Sequence, residues 1–540
     1  MILHRPSFPT LLTLSLRLLS PSYVQFARSD SVYIASADYT AGAYGAGPFQ
    51  SYFSANSTPS IWNFVQPQNK TTSISAGYLF TAPGGSSTVT PGPLIYDSNG
   101  FLVWDGTAFG ETLVFQVETY QGEPVIVSWS GDELATGVGN GTISIINNKY
   151  ELIATVTANL TGITGPTLSD FHETRITTSN TLMTTAYQPI EYDLSAFGGP
   201  ATGYLSNSLF QEINITTGEA LFTWSAIDHV SPSECYSPIG STGTSVSNLW
   251  DYFHINSIDL SDDGNYLVSS RHCYTIYFIN GTTGDIIWQM GGMNSSFAMG
   301  DGANYSWQHH ARWVTKNDTG ATMTLFDNAG EFGVTDEANS RGLFLALNFT
   351  NMSVSLIQEF EPHNTTLSQS QGSVQLQPNG NFLVGWGFMP WSSEYSADGE
   401  LLWAGQFGIV AFASTGPENQ RLLLLWTLPN HSKSNLLSVH ASWNGDTRTK
   451  KWELLGASDS SGSNTVSLYN QTRSGFETSI TINTANQKYD YLAVRAFGAE
   501  NTPLGVSDFV STGNGVAALV IGAWRTVLAA VMVVWFVQAI

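Results

Sequence analysis

Three histidines of this chain stand at nearly equivalent places in three copies of a repeated segment. His172 lies in DFHETRITTSNTLMTTAY, His254 in DYFHINSIDLSDDGNYLVSSRH and His309 in SWQHHARWVTKNDTGATMTLFDN. A fourth copy, SQGSVQLQPNGNFLVGWG from Ser370, carries Gln371 to Gln375 in that place and no histidine. Arg271, His272, His310 and Arg312 accompany them, while lysine is absent between Asp251 and Arg312. Imidazole can donate, accept or attack, and guanidinium grips planar or tetrahedral oxyanions through paired hydrogen bonds. With 42 acidic against 19 basic residues, net −23, this basic cluster is where an anionic ligand could still bind. The same residues admit two other readings: histidines that hold loops by hydrogen bonds, or imidazoles gathered on one axis around zinc or copper. No carboxylate or cysteine sits at a telling ligand spacing, so neither a metal nor another cofactor is expected.

The elements that must position these residues follow from the repeat itself. Each copy is a short alternating strand, a Gly/Asn/Asp turn and a second strand. Several run on to hairpins that end on tryptophan, such as NITTGEALFTW, NGTTGDIIWQMGG and SADGELLWAG. Four strands repeated every 50–80 residues or so is the signature of a β-propeller blade. The spacing predicts about six blades between residues 90 and 430. Because the first strand of each blade lines the central channel, His172, His254 and His309 are expected to face one funnel. Composition agrees with an all-β chain: 11% of residues are charged, 12% are aromatic and 51 are glycine. From residue 431 the alternating strands are spaced as in an immunoglobulin or fibronectin β-sandwich.

The segments FHINSIDLSDDGNYLVSSRH, GDIIWQMGG, WQHHARWV and LFDN together resemble the arylsulfotransferase (ASST) family, and its eukaryotic, mostly fungal branch above all. The resemblance covers most of residues 95–430, and SWNGDTRTKKWELLGA is similar to the sandwich that ends members of that branch. It implies a six-bladed propeller that moves a sulfuryl group between phenols through a sulfated histidine, without a nucleotide donor. It implies His254 and His309 as catalytic funnel histidines, with Arg341 as the arginine near LFDN. His172, Arg271, Arg312 and His310 would then bind the substrate, an aryl sulfate or a phenol. The chain departs from the bacterial members in the repeat where their nucleophilic histidine would be sought: it reads SQGSVQ there, and His363 and His440 lie outside a comparable strand start. A propeller without a nucleophile would bind a ligand or partner rather than turn it over, and a metal-dependent oxidase or lyase could use the same scaffold.

The remaining signals concern compartment. Residues 1–27 carry His4 and Arg5, an apolar run from Leu11 to Leu19 broken by Arg17, and small residues, as a signal peptide would. Asn-x-Ser/Thr acceptors recur from Asn56 through Asn140 and Asn280 to Asn470, so N-linked glycans are expected. Cys235 and Cys273 could form one bridge in an oxidising compartment. The tail, residues 511–540, is apolar from Val516 except at Arg525, Thr526 and Gln538, and suits a glycolipid-anchor signal or a transmembrane segment. The chain is therefore expected at the cell surface, attached to a membrane. No basic run exists to bind nucleic acid. Between signal and tail, residues 28–94 are expected as an N-terminal β region, 95–430 as the propeller and 431–510 as the sandwich.

Overall fold

The structure is a computed structural model and describes residues 26–28, 30–45, 47–66, 74–85, 88–134, 137–163, 165, 167–409, 436–483, 489–512, 518–519 and 532–538. Residues 1–25 of the signal peptide expected at 1–27, the end of the expected propeller at 410–430, the first residues of the expected sandwich at 431–435 and most of the tail lie outside them. Among the described residues no helix is long and apolar enough to cross a membrane, and the single α-helix is Ala37–Thr40. Everything else of regular form, apart from short 3-10 turns, is strand.

The middle of the chain is a succession of antiparallel sheets, each wound as a meander. Val114–Tyr120, Glu123–Glu133, Gly139–Ile146 and Leu152–Val156 form one. Leu168–Ile176, Thr181–Tyr192, Gly203–Asn214 and Ala220–Ser225 form the next. Then come Ile255–Leu260, Tyr266–Ser270, Thr275–Ile279 and Ile286–Gly291. His309–Lys316, Gly320–Asp327, Arg341–Asn348 and Ser353–Phe360 follow. The first strands of neighbouring sheets lie side by side and are stitched by hydrogen bonds. Ala311 N donates to Ser257 Oγ at 3.1 Å, and Asn256 Nδ2 donates to the Gln308 carbonyl at 2.6 Å. This is the arrangement of a β-propeller, with the first strands innermost.

Aromatic side chains fill the wedges between sheets. Met183, Tyr187, Phe210, Trp224, Phe253, Ile258 and Tyr277 form one buried cluster, and Phe278, Trp288, Met323, Leu325 and Leu345 belong to the next. Trp224, which ends the NITTGEALFTW hairpin, also donates Nε1 to the Gly284 carbonyl of the following sheet at 3.0 Å. Truncating such a residue to Ala typically costs 3–5 kcal/mol or so, because the wedge has no other occupant of its size.

The N-terminal residues expected as a region of their own are shared out between sheets. Tyr78–Thr81 pairs with Leu94–Asp97 and so belongs with Leu102–Asp105. Asn63–Gln66 pairs with Leu401–Gln406, the last strand of the sheet that also holds Ser373–Leu376, Phe382–Gly385 and Trp391–Tyr395. A boundary at residue 95 therefore cuts through a sheet. The repeat pattern could not show this, because the pairing joins strands far apart in sequence.

After residue 435 two sheets bury one cluster that includes Val439, Trp443, Trp452, Leu454, Ile480 and Val494. One contains Leu436–Trp443 between Glu477–Asn483 and Met532–Gln538; the other contains Lys451–Ala457, Val466–Thr472 and Tyr491–Phe497. This part is fastened to the propeller at Asp105, whose backbone N–H donates to Asn444 Oδ1 at 2.8 Å.

Candidate functional site

The inner strands carry polar residues because they face the channel and each other rather than an apolar wedge. Three of them are also irregular where the histidines stand. Strand register shifts between Ser169 and Thr174, between Ile255 and Ser257, and between His309 and Arg312. His254 and His310 have left-handed backbones, with φ of 52° and 56°. Bulges of this kind re-aim side chains and collect at working sites.

The result brings His172, His254, His272, His309 and Arg271 together. His172 donates Nδ1–H to Asp170 Oδ2 at 2.7 Å, and His254 donates Nδ1–H to Asp251 Oδ2 at 2.5 Å. The two rings meet at their far ends, with Nε2 atoms 3.1 Å apart. His272 donates Nδ1–H to the Asp251 carbonyl at 2.7 Å and accepts from Arg271 Nη1 at 2.9 Å through Nε2. His309 has only acceptors near Nδ1: Asn328 Oδ1 at 2.7 Å and the Trp307 carbonyl at 3.1 Å. Its Nε2 therefore carries the lone pair, met only by the long N–H contact of Gln371 at 3.3 Å. Arg271 lies over the Trp307 ring and also donates to Glu331 Oε2 at 3.2 Å and to the Gln369 carbonyl at 3.0 Å.

Burial governs the protonation of this cluster. It drives His309 well below the usual imidazole value, and Arg271 pushes the same way. It does the same to His254, helped by His172 and Arg271. His272 is pushed down to about 3, chiefly by burial and against the opposing charge of Asp251. Burial acts to raise Asp170, yet His172 and hydrogen bonds from its own neighbours hold that carboxyl below the ordinary range. Asp251 is raised by burial. His254, His272 and His309 thus present neutral imidazoles beside one guanidinium, in a place sheltered from water.

Not every expected site residue belongs to it. Arg341 is spent elsewhere: it donates to Asp327 Oδ2 at 2.9 Å, Glu359 Oε1 at 3.1 Å and the Asn304 carbonyl at 2.9 Å. Its guanidinium holds a buried carboxylate and has no contact with the histidines. Arg312 donates to Glu173 Oε2 at 2.6 Å, further along the inner strands, where Arg175 bridges Asp259 and Glu118. His310 follows Arg312 into this second charged group, because its left-handed backbone turns it away from His309. Arg271 is the arginine of the histidine cluster.

Several partners escaped the sequence reading. Asp170 precedes His172 by two residues and Asp251 precedes His254 by three, a spacing that could have marked them as ring anchors. Nothing local marks Asn328 or Gln371, which reach His309 from distant turns. For a metal, Asp251, His254 and His272 offer donor atoms within 4.8 Å of one another, and His172 adds a nitrogen beside His254.

A family model, arylsulfotransferase (ASST), matches residues 116–408, more than half of the chain and all of the histidine cluster. The chain belongs to the arylsulfotransferase family. No curated protein matches its sequence. Among solved structures it is similar to a protein of unknown function from Bacteroides caccae, at 12% identity over 62% of this chain and 92% of that one, with a TM-score of 0.31. It is similar to a putative 6-phosphogluconolactonase from Bacteroides uniformis, at 10% identity over 61% and 94%, with a TM-score of 0.32. The β-propeller domain of Cps50 from Myceliophteria thermophila aligns at 11% identity over 54% and 87%, with a TM-score of 0.29. Likenesses this weak carry no functional information. Membership of the arylsulfotransferase family rests on the matched model.

Proposed function

We infer that the protein is a six-bladed arylsulfotransferase that moves a sulfuryl group from an aryl sulfate to a phenol through His309. The observation that carries the reading is the fixed tautomer of His309. With Nδ1–H given to Asn328, Nε2 is an unprotonated nucleophile held neutral by its buried surroundings. In the first half-reaction Nε2 bonds to sulfur, the bond from sulfur to the aryl oxygen breaks, and a phenolate leaves. In the second, an acceptor phenol passes its proton to the departed phenolate, and its oxygen bonds to sulfur as the nitrogen–sulfur bond breaks. Arg271 and the Gln371 N–H are the donors that offset charge on the sulfuryl oxygens. His172 and His254 lie beside this site with their Nε2 atoms 3.1 Å apart, where the phenol oxygen that leaves or enters would be met. His254 and His309 thus keep the catalytic roles assigned by resemblance, and Arg271 takes the role given to Arg341.

In this reading the chain belongs to the fungal branch, ends in a β-sandwich, and works at the cell surface as an N-glycosylated, membrane-attached protein. Glycosidase treatment should increase its gel mobility, and a phospholipase that cuts lipid anchors should release it from membranes. The decisive test incubates the secreted protein with a chromogenic aryl sulfate and a phenol acceptor, then digests it. A peptide containing His309 and heavier by one sulfuryl group is expected. Absence of both chromophore release and that peptide overturns the reading and leaves a propeller that binds without turnover.

A further inference from the structure

All four cluster histidines give their Nδ1–H to an oxygen, so all four present a lone pair at Nε2. Two of these lone pairs meet hydrogen-bond donors: Arg271 Nη1 reaches His272, and the Gln371 N–H reaches His309. The other two, on His172 and His254, meet each other at 3.1 Å. Lone pairs cannot face one another at that distance without a cation between them.

The geometry points to a divalent transition-metal site of zinc type whose first two ligands are His172 Nε2 and His254 Nε2. Three observations support a metal ion over a proton. The ring centroids are 4.7 Å apart and the planes cross at 83°. An ion about 2.1 Å from each nitrogen, on each ring's lone-pair axis, requires a ligand angle of roughly 95–100° and places the centroids roughly 4.8 Å apart. A straight nitrogen–proton–nitrogen bond of the same length would place them roughly 5.4 Å apart. Each ring is also backed by its own carboxylate, Asp170 and Asp251, the outer-shell arrangement that fixes a metal-ligating imidazole and strengthens its lone pair. Finally, the charges in direct contact do not balance. Glu331 is paired with Arg271, whereas the ion-pair partners of Asp170 and Asp251 are imidazoles, and these two negative charges match a divalent cation.

Imidazole nitrogens favour zinc, copper, iron or nickel over calcium or magnesium. Asp251 is held at His254 Nδ1 and His272 Nε2 is held by Arg271, so water would complete the shell of the ion beside these two imidazoles. One of those water positions would face a substrate oxygen. This inference is independent of sulfuryl transfer, since it concerns occupancy and not turnover.

The test uses the untagged, secreted full chain, exposed to micromolar zinc, dialysed, and assayed by elemental mass spectrometry. About one ion per chain is expected, with cobalt replacing zinc to give visible absorption bands typical of nitrogen ligation. His172→Ala and His254→Ala should each lose the ion, while His309→Ala should keep it. Asp170→Asn, which preserves ring contacts, should weaken zinc binding 10–100-fold or so, so a folding failure of the alanine variants does not end the test. An unmodified chain that retains no ion overturns the proposal. So does unchanged stoichiometry in a folded His172→Ala variant, or a single deshielded proton shared by the two rings in zinc-treated protein.

Discussion

The guanidinium of Arg271 lies over the ring of Trp307, 5.0 Å from its centroid, while its edges reach Glu331, His272 and the Gln369 carbonyl. These contacts explain why one arginine can serve a tetrahedral oxyanion here: the fork is held before any substrate arrives. Arg271→Lys keeps the charge but loses the plane. It should lower kcat/KM for a chromogenic aryl sulfate by about 100-fold or more, with a melting temperature close to that of the parent. Arg341→Ala should do the reverse. Asp327, already pushed up to about 6 by burial even with Arg341 beside it, would lose its partner. Unfolding in urea should show a loss of about 3 kcal/mol, while kcat of the folded fraction holds. If Arg341→Ala abolishes turnover in a stable protein, the roles given to the two arginines are reversed.

His309→Ala should leave no turnover and no labelled peptide. Asn328→Ala is the more informative change, since it removes the nearer acceptor of the ring N–H, together with the Nδ2 contacts to the Ser368 and Gln371 carbonyls. The ring then divides between two tautomers, so kcat should fall by about tenfold with KM nearly unchanged. Steady-state kinetics on both variants checks this, and an unaltered kcat in Asn328→Ala would remove tautomer control from the mechanism.

Turnover should not decline where an ordinary histidine titrates. Burial holds His309 neutral well below 6.5, so kcat should stay level through that pH. Stability follows the sign of the shift at His272, from 6.5 in the unfolded chain to about 3 in the folded one. Its contribution is complete above 6.5 and is lost as pH falls, because the unfolded chain takes up a proton that the folded one refuses. The slope is at most about 1.4 kcal/mol per pH unit. Asp327, raised to about 6, contributes with the opposite sign: its share is present at low pH and is lost as pH rises through 6. The comparison that isolates His272 is therefore parent against His272→Gln, by urea unfolding between pH 7 and 4, and the variant should show the shallower decline.

Cys235 and Cys273 are bridged, and the bridge follows directly on Arg271 and His272. Beside it the Tyr236 N–H donates to the His272 carbonyl at 2.8 Å. Closing a loop of this separation contributes about 3–4 kcal/mol in the chain-entropy model. Cys235→Ser with Cys273→Ser should cost that much in denaturation, and should lower kcat as well because the His272 turn is freed. A loss of stability with kcat intact would make the bridge a fastening only.

The repeat announced the inner strands and, through them, the meeting of His172 with His254. That much is legible because equivalent strand starts converge whatever the side chains do. What each side chain is committed to was not legible. Arg271, Arg312 and Arg341 look alike in sequence, and only the folded chain shows Glu173 claiming one and Asp327 another. His309 and His310 are adjacent, yet a bulge sends them to different groups, and nothing in WQHHARW marks a left-handed residue. The anchor aspartates were visible but unread, whereas Asn328 and Gln371 arrive through long-range packing that no local pattern encodes.

Phe64 is hydrogen-bonded alongside Gly405, so the last sheet is completed by a strand synthesised long before its partner. On a ribosome adding about 5–20 residues per second, that early strand waits tens of seconds with its edge unpaired. Local meanders can form as they emerge, but the ring cannot shut until residue 405 is outside the ribosome. The entropy of joining such distant segments makes closure the slow step. Stalled chains that stop before Leu401 should be cut by protease near Asn63, while chains released after Gln406 resist. In the cell this interval is the one in which the nascent chain is open to mispairing and to chaperones that bind exposed strands.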